Sequence, residues 1–303
     1  MQPDLSVNLA GISLDNPVLV ASGTFSYGRE MSRLYDLSQL GGLVSKTITR
    51  APRAGNPPPR VTETTGGMLN AIGLANPGVD AFIADYLPLL REAGCPLIVN
   101  VAGEDTADYV ALSERIAAQD GVSGIELNIS CPNVSHGLDF GTNPDQTREL
   151  VRGVKAVCDL PVFVKLSPNV TDVVVLARAA EDGGADGLSL INTLVGMVIS
   201  LEKRKPVLGN RTGGLSGPAV KPVALAMVWK VADAVEIPVI GIGGIMNARD
   251  ALEFMVAGAT AVQVGTANFV DPWSAPKTIG GMSEWLTEND IERVVDLIGT
   301  LEA

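Results

Sequence analysis

The sequence predicts an α/β protein whose parallel strands close into a (β/α)8 barrel. Eight short apolar runs recur along the 303 residues, and amphipathic, helix-like segments separate them. Most of the runs are rich in Val, Ile and Leu throughout, as strands buried on both faces must be. The turn after the first strand also lacks G-x-G-x-x-G, the fingerprint that would favour a doubly wound open sheet.

In chain order, a short hairpin is expected over residues 5–14, ahead of the barrel. The strand runs are "PVLVAS" at 17–22, "GGLVSK" at 41–46, "PLIVNVAG" at 96–103 and "GIELNIS" at 124–130. They continue with "PVFVKLS" at 161–167, "DGLSLIN" at 186–192, "PVIGIGG" at 238–244 and "TAVQVGT" at 260–266. Amphipathic stretches such as "DAFIADYLPLLREAG" and "DVVVLARAAEDGGADG" supply helices, with Gly94 and Gly183 as their C-terminal stops. Two connections are too long for one helix, residues 47–76 after strand 2 and residues 193–217 after strand 6. Both are rich in Gly, Pro and Asn, and both leave from strand C-termini, where barrels build the walls of their sites. No composition shift or repeat divides the chain, so residues 1–303 are expected to form one domain.

Composition narrows the function. The net charge is −12, from 22 basic and 34 acidic residues, a balance that repels nucleic acid and acidic lipid. No apolar run reaches the length of a membrane span. The N-terminus has neither the basic start nor the apolar stretch of a signal peptide. Cys95, Cys131 and Cys158 are widely spaced and odd in number, which fits a reducing cytoplasm. The N-x-S/T triplets at Asn128, Asn133 and Asn169 are then coincidental. With no C-x-x-C pair, the chain is not expected to hold an iron–sulfur cluster by itself, and no metal site is expected.

The chemistry gathers where strands end. These positions carry Ser22, Lys46, Asn100, Asn128, Lys165, Asn192, Gly243–Gly244 and Gly265–Thr266. In a barrel all eight converge on one mouth, where barrel enzymes place function. Glycines after the last two strands let backbone N–H groups approach an anion, an arrangement that suits phosphate. Lys46 and Lys165 each close a mostly apolar strand, and a buried lysine demands a partner. Two chemistries answer that demand: a Schiff base, or stabilisation of negative charge on a cofactor that has accepted electrons.

Cys131 follows strand 4 within "CPNVSHGLDFG", and its thiol can serve as nucleophile, proton-abstracting base or small buried hydrophobe. The single histidine, His136, reads as a loop residue. Cys95 and Cys158 precede strands on the opposite face and read as structural. Asn70, Asn100, Asn128, Asn133 and Asn192 form an amide-rich set. Amides donate and accept from one side chain, which suits a planar ring carrying alternating N–H and C=O groups.

Taken together, "SKTITRAPRAGNPPPR", "NAIGLANPG", "LNISCPN", "VKLSPNV", "LSGPA" and "GIGGI" resemble the family 1 dihydroorotate dehydrogenases, over nearly the whole chain. "NAIGL" in place of the "NSMGL" type is similar to the B subtype. That subtype works with a second subunit carrying FAD and a 2Fe–2S cluster, and passes electrons to NAD. No membrane-binding helix is expected ahead of the barrel, unlike the quinone-dependent family 2. The resemblance implies an FMN site built from Ala21, Ser22, Lys46, Thr47, Asn100, Asn128, Lys165, Ile191, Gly217, Gly243, Gly244, Gly265 and Thr266. It implies a dihydroorotate site built from Lys46, Asn70, Ala71, Ile72, Gly73, Leu74, Asn128, Asn133, Asn192 and Thr193. Cys131 matches the family 1 catalytic base, and Lys165 would stabilise charge near N1 of the reduced flavin. A homodimer within a heterotetramer is the family expectation. The competing readings are a flavin barrel acting on another dihydropyrimidine, the fumarate-linked A subtype, and a Schiff-base aldolase on the same barrel.

Overall fold

The computed structural model describes residues 2–130 and 140–302. Eight strands form a closed parallel barrel: β1 (Val18–Val20), β2 (Gly42–Val44), β3 (Leu97–Val101), β4 (Gly124–Leu127), β5 (Val162–Lys165), β6 (Gly187–Leu190), β7 (Val239–Ile242) and β8 (Ala261–Val264). Each pairs with the next in sequence, and the register Val262↔Val18 joins β8 to β1 and closes the ring. Each lies inside its expected run. All their residues are buried, as a ring covered by helices outside and filled by side chains inside requires.

Four of the outer helices begin at an Asp or Asn that caps them. Asn143 accepts hydrogen bonds from the N–H groups of Asp145 and Gln146 and is followed by Pro144 at the first helical position. Thr147, Leu150, Val151 and Val154 then recur at three- and four-residue spacing and turn one face of Pro144–Lys155 to the barrel. Asp105, Asp172 and Asn247 cap Thr106–Ala117, Val173–Asp182 and Ala248–Val256 in the same way. Each such cap contributes about 0.5–2 kcal/mol.

Val7–Leu9 and Ile12–Leu14 form the expected hairpin around Ala10 and Gly11, whose φ angles of +52° and +87° give a two-residue turn that matches strand twist. Its alternate residues Val7, Leu9, Ile12 and Leu14 are buried. Ile12 reaches Gly124 at the start of β4, so the hairpin closes the N-terminal end of the barrel. Asp4 and Val294 strap the two ends of the chain together, through Asp4 N–H to Glu292 and Val294 N–H to Asp4.

The structure departs from the sequence reading in three places. Between β1 and β2 there is no full helix, only the 3-10 turns Met31–Arg33 and Leu37–Gln39. Ser26 and Gly28, at φ +54° and +76°, turn that segment too sharply for one. Gly183 does cap its helix, but in helical geometry, and the left-handed residue that ends it is Gly184 at φ +94°. The two long insertions, finally, are one structure. Leu194–Gly196, Gly213–Ser216, Gly67–Asn70 and Val61–Thr64 form a single four-stranded antiparallel sheet, with Leu215 opposite Leu69. Beneath it Leu69, Ala71 and Leu208 make a small core separate from that of the barrel.

Candidate active site

An open cavity of about 1300 Å³, counting space open to solvent, lies between the barrel mouth and this sheet. Strands place its floor and walls. Seven of the eight strand ends singled out in the sequence line it: Ser22, Lys46, Asn128, Lys165, Asn192, Gly243–Gly244 and Gly265–Thr266. The eighth, Asn100, is fully buried and lies behind the wall. Ala21, Thr47, Asn70, Ile72, Gly73, Leu74, Ile191, Thr193 and Gly217 also line the cavity. Ala71 does not: it is fully buried in the small core of the sheet. Cys131 and Asn133, and with them His136, lie outside the described residues.

The polar side chains at the mouth form one chain of contacts. Ser22 Oγ is 3.5 Å from Thr47 Oγ1, and Asn128 Nδ2 donates to the same Thr47 oxygen at 3.3 Å. Asn192 Nδ2 donates to Asn128 Oδ1 at 3.2 Å and to Ser130 Oγ at 2.9 Å. Ser130 Oγ in turn donates to the Lys165 carbonyl at 2.8 Å. The ends of five strands, β1, β2, β4, β5 and β6, are thereby tied together, and the amides face the cavity already oriented. Tyr109 adds a support from behind, its hydroxyl donating to the Asn128 carbonyl at 2.8 Å.

The segment 70–74 is held against residues 53–60. The Asn56 N–H donates to Ile72 O, Asn56 Nδ2 donates to Ala71 O at 3.2 Å, and Ala71 N–H donates to Arg60 O. Asn76 anchors the far end, with its Nδ2 donating to Thr49 Oγ1 at 2.8 Å and its Oδ1 accepting from Gly78 N–H. On the opposite wall Gly217, Gly243 and Gly244 have φ of +102°, +131° and +72°. All three glycines line the cavity, and backbone of this kind can present N–H groups to an anion. Thr266 Oγ1 donates to Ser216 Oγ at 2.8 Å, or accepts from it, and joins β8 to the sheet.

The cysteines preceding β3 and β5 are poor nucleophiles. Burial pushes the Cys95 thiol up to about 12, reinforced by the nearby Asp36 charge. Burial likewise raises Cys158, against a backbone hydrogen bond to Leu160 that lowers it.

Sequence reasoning missed Glu126, whose carboxylate is fully buried inside the barrel beneath these strand ends. Its signal was present, a charged residue in the middle of an apolar strand run and two positions before Asn128, on the same face of the strand. It also missed the apolar wall supplied by Met68, Leu215 and Met246, because the pairing of the two insertions has no local signature.

A family model described as dihydroorotate dehydrogenase matches residues 4–286. A relative in Geobacter sp. (strain M21), named dihydroorotate dehydrogenase B (NAD(+)), catalytic subunit, is 58% identical over 302 residues, 99% of each chain. The protein of the same name in Geobacter sulfurreducens is 57% identical over the same share of both chains. Among solved structures, the crystal structure of the Eimeria tenella DHODH in complex with ferulenol matches with a TM-score of 0.82 at 24% identity, over 98% of this chain and 88% of that one. With a family model spanning nearly its whole length and relatives this similar end to end, the chain belongs to the dihydroorotate dehydrogenase family.

Proposed function

We propose that this chain binds FMN and oxidises dihydroorotate to orotate, as the catalytic subunit of an NAD-linked enzyme of pyrimidine synthesis. The observation that carries the reading is the meeting, in one cavity, of two lysines, an oriented chain of amides and hydroxyls, and a glycine-lined anion cradle. The donor set fits FMN. The array at Gly217, Gly243, Gly244, Gly265 and Thr266 suits its phosphate. Ala21, Ser22, Lys46, Thr47, Asn128, Lys165 and Ile191 suit a planar ring edged with donors and acceptors. Asn100 supports that wall from behind.

FMN, when bound, supplies the acceptor for the hydride that leaves C6 of dihydroorotate. The chain's own residues do the rest. Cys131, in the role the sequence resemblance gives it, takes the C5 proton. Lys46, Asn70, Asn128, Asn133, Asn192 and Thr193 hold the substrate ring and its carboxylate, with the backbone of 71–74 behind them. Fixing the ring in that orientation supplies much of the rate. Lys165 stabilises the negative charge that accumulates on oxidation of the substrate. Three scattered cysteines leave this chain without the ligands for a cluster. The relatives named as catalytic subunits support a separate subunit as acceptor of the electrons, for which we propose FAD and a 2Fe–2S centre leading to NAD+, in a heterotetramer built on a dimer of this chain. Residues 1–303 act as one domain in this account, and the proposed compartment is the cytoplasm. Among the described residues no helix is long and apolar enough to cross a membrane.

The test is turnover by the FMN-loaded chain with an artificial electron acceptor, given dihydroorotate or dihydrouracil. The expected result is orotate from the first and negligible turnover of the second, which lacks the carboxylate. Equal turnover of both, or none of dihydroorotate, contradicts the proposal.

A further inference from the structure

Beneath the cavity, one fully buried carboxylate collects donors from across the barrel. Glu126 on β4 receives Asn100 Nδ2 at 2.5 Å, Ser189 Oγ at 2.8 Å and Gln263 Nε2 at 2.9 Å, from β3, β6 and β8. Two of these donors give up their own acceptors to do so. Asn100 Oδ1 and Gln263 Oε1 are buried without a hydrogen-bond partner among the described residues. A barrel interior does not accept that cost for a passive side chain.

The three donors are neutral, and the cation is Lys165, whose Nζ lies 3.9 Å from Glu126 Oε2. Both side chains are removed from water, at 0% exposed for Glu126 and 8% for Lys165, so each charge depends on the other. Yet 3.9 Å is beyond hydrogen-bond length. Among the described residues, no hydrogen bond ties the ammonium to the carboxylate, so its charge is balanced while its N–H donors remain available to the cavity that Lys165 lines.

We propose that Glu126 is a positioning residue for Lys165: it fixes the ammonium at the cavity floor, and its own buried charge offsets the ammonium's, so that the pair sets how strongly the site favours the reduced, anionic flavin. The inference rests on the FMN reading above. Removing the carboxylate leaves Lys165 uncompensated and favours the reduced form. Glu126→Gln is expected to raise the preference for reduced over oxidised FMN at least tenfold, read as a midpoint potential about 30 mV more positive for a two-electron couple. Glu126→Asp keeps the charge and is expected to stay within about threefold of wild type.

The measurement is equilibrium reduction of the FMN-loaded chain against a reference dye. A purely structural Glu126 would lower thermal stability in Glu126→Gln and leave the potential where it was, and that outcome overturns the inference. If Glu126→Gln does not fold, Lys165→Met is compared with Lys165→Met/Glu126→Gln. Taking both charges out together leaves neither one stranded. The double variant is then expected to regain at least tenfold in preference for reduced FMN over the single one, and equal potentials overturn the inference. A wild-type chain that takes up no FMN removes the functional reading and this inference together. FMN-loaded variants with the wild-type potential remove this inference alone.

Discussion

Gly265→Ala separates what the fold needs from what the ligand needs. At Gly243 the two coincide. Its φ of +131° is closed to a side chain, and an added Cβ would sit 2.7 Å from the Ala224 Cβ. Gly243→Ala therefore destabilises the barrel itself, by roughly 2–5 kcal/mol from left-handed strain and overpacking together. Gly265 has no left-handed φ. A Cβ there would meet only Ala21 Cβ at 3.7 Å and Thr24 Cγ2 at 3.9 Å, ordinary contacts with two residues that line the same cavity. The methyl costs the fold nothing, and by stiffening the unfolded chain it stabilises by about 0.4–1 kcal/mol. In the proposed site it stands in the anion cradle. Displacing phosphate from one or two charge-assisted hydrogen bonds costs about 1.5–3 kcal/mol, roughly a 10- to 150-fold rise in Kd for FMN. The assay pairs thermal unfolding of the FMN-free chain with FMN titration followed by flavin fluorescence. The expected result is an unchanged or higher Tm with weakened binding. FMN affinity equal to wild type would refute the phosphate cradle, because nothing would then press against Gly265.

Cys131→Ala should lower turnover by about 10²- to 10⁴-fold, the usual worth of a general base, while FMN stays bound; near-normal rates at neutral pH would remove Cys131 from the mechanism. Native alkylation at pH 8 should leave Cys95 untouched: a thiol at about 12 is some 10³-fold less ionised there than an ordinary one. Peptide mapping that finds Cys95 labelled as fast as a free thiol would contradict its burial. Leu69→Ala, in the small core under the sheet, should cost about 2–5 kcal/mol and fall on the sheet rather than the barrel. It should raise KM for dihydroorotate and speed proteolysis within residues 194–216, with little change in Tm; a large fall in Tm and an unchanged KM would show that the two cores are one.

The barrel was legible because each strand declares itself locally. "PVFVKLS" and "PVIGIGG" are apolar on both faces and end in Lys165 and in paired glycines, and a ring is the one layout that brings such ends together. Most of the cavity wall followed from the same rule. What was not legible is tertiary. Val61–Thr64 pairs with Gly67–Asn70 and Leu194–Gly196 with Gly213–Ser216 inside their own Gly/Pro-rich insertions, but the seam that sets Leu215 opposite Leu69 joins segments far apart in sequence. Glu126 shows the converse. In sequence it is one more polar residue in an alternating strand, and only closure of the barrel turns it inward to meet Asn100, Ser189 and Gln263. The missing helix after β1 has a local cause, Ser26 and Gly28 in left-handed geometry, but neither residue type declares that conformation by itself.

The most direct test of the account is the absorption spectrum of the purified, FMN-loaded chain before and after anaerobic addition of dihydroorotate. The flavin bands are expected to bleach, with one orotate formed per flavin and no acceptor present. Bands that persist with dihydroorotate in excess would contradict it, and would return the cavity to another substrate.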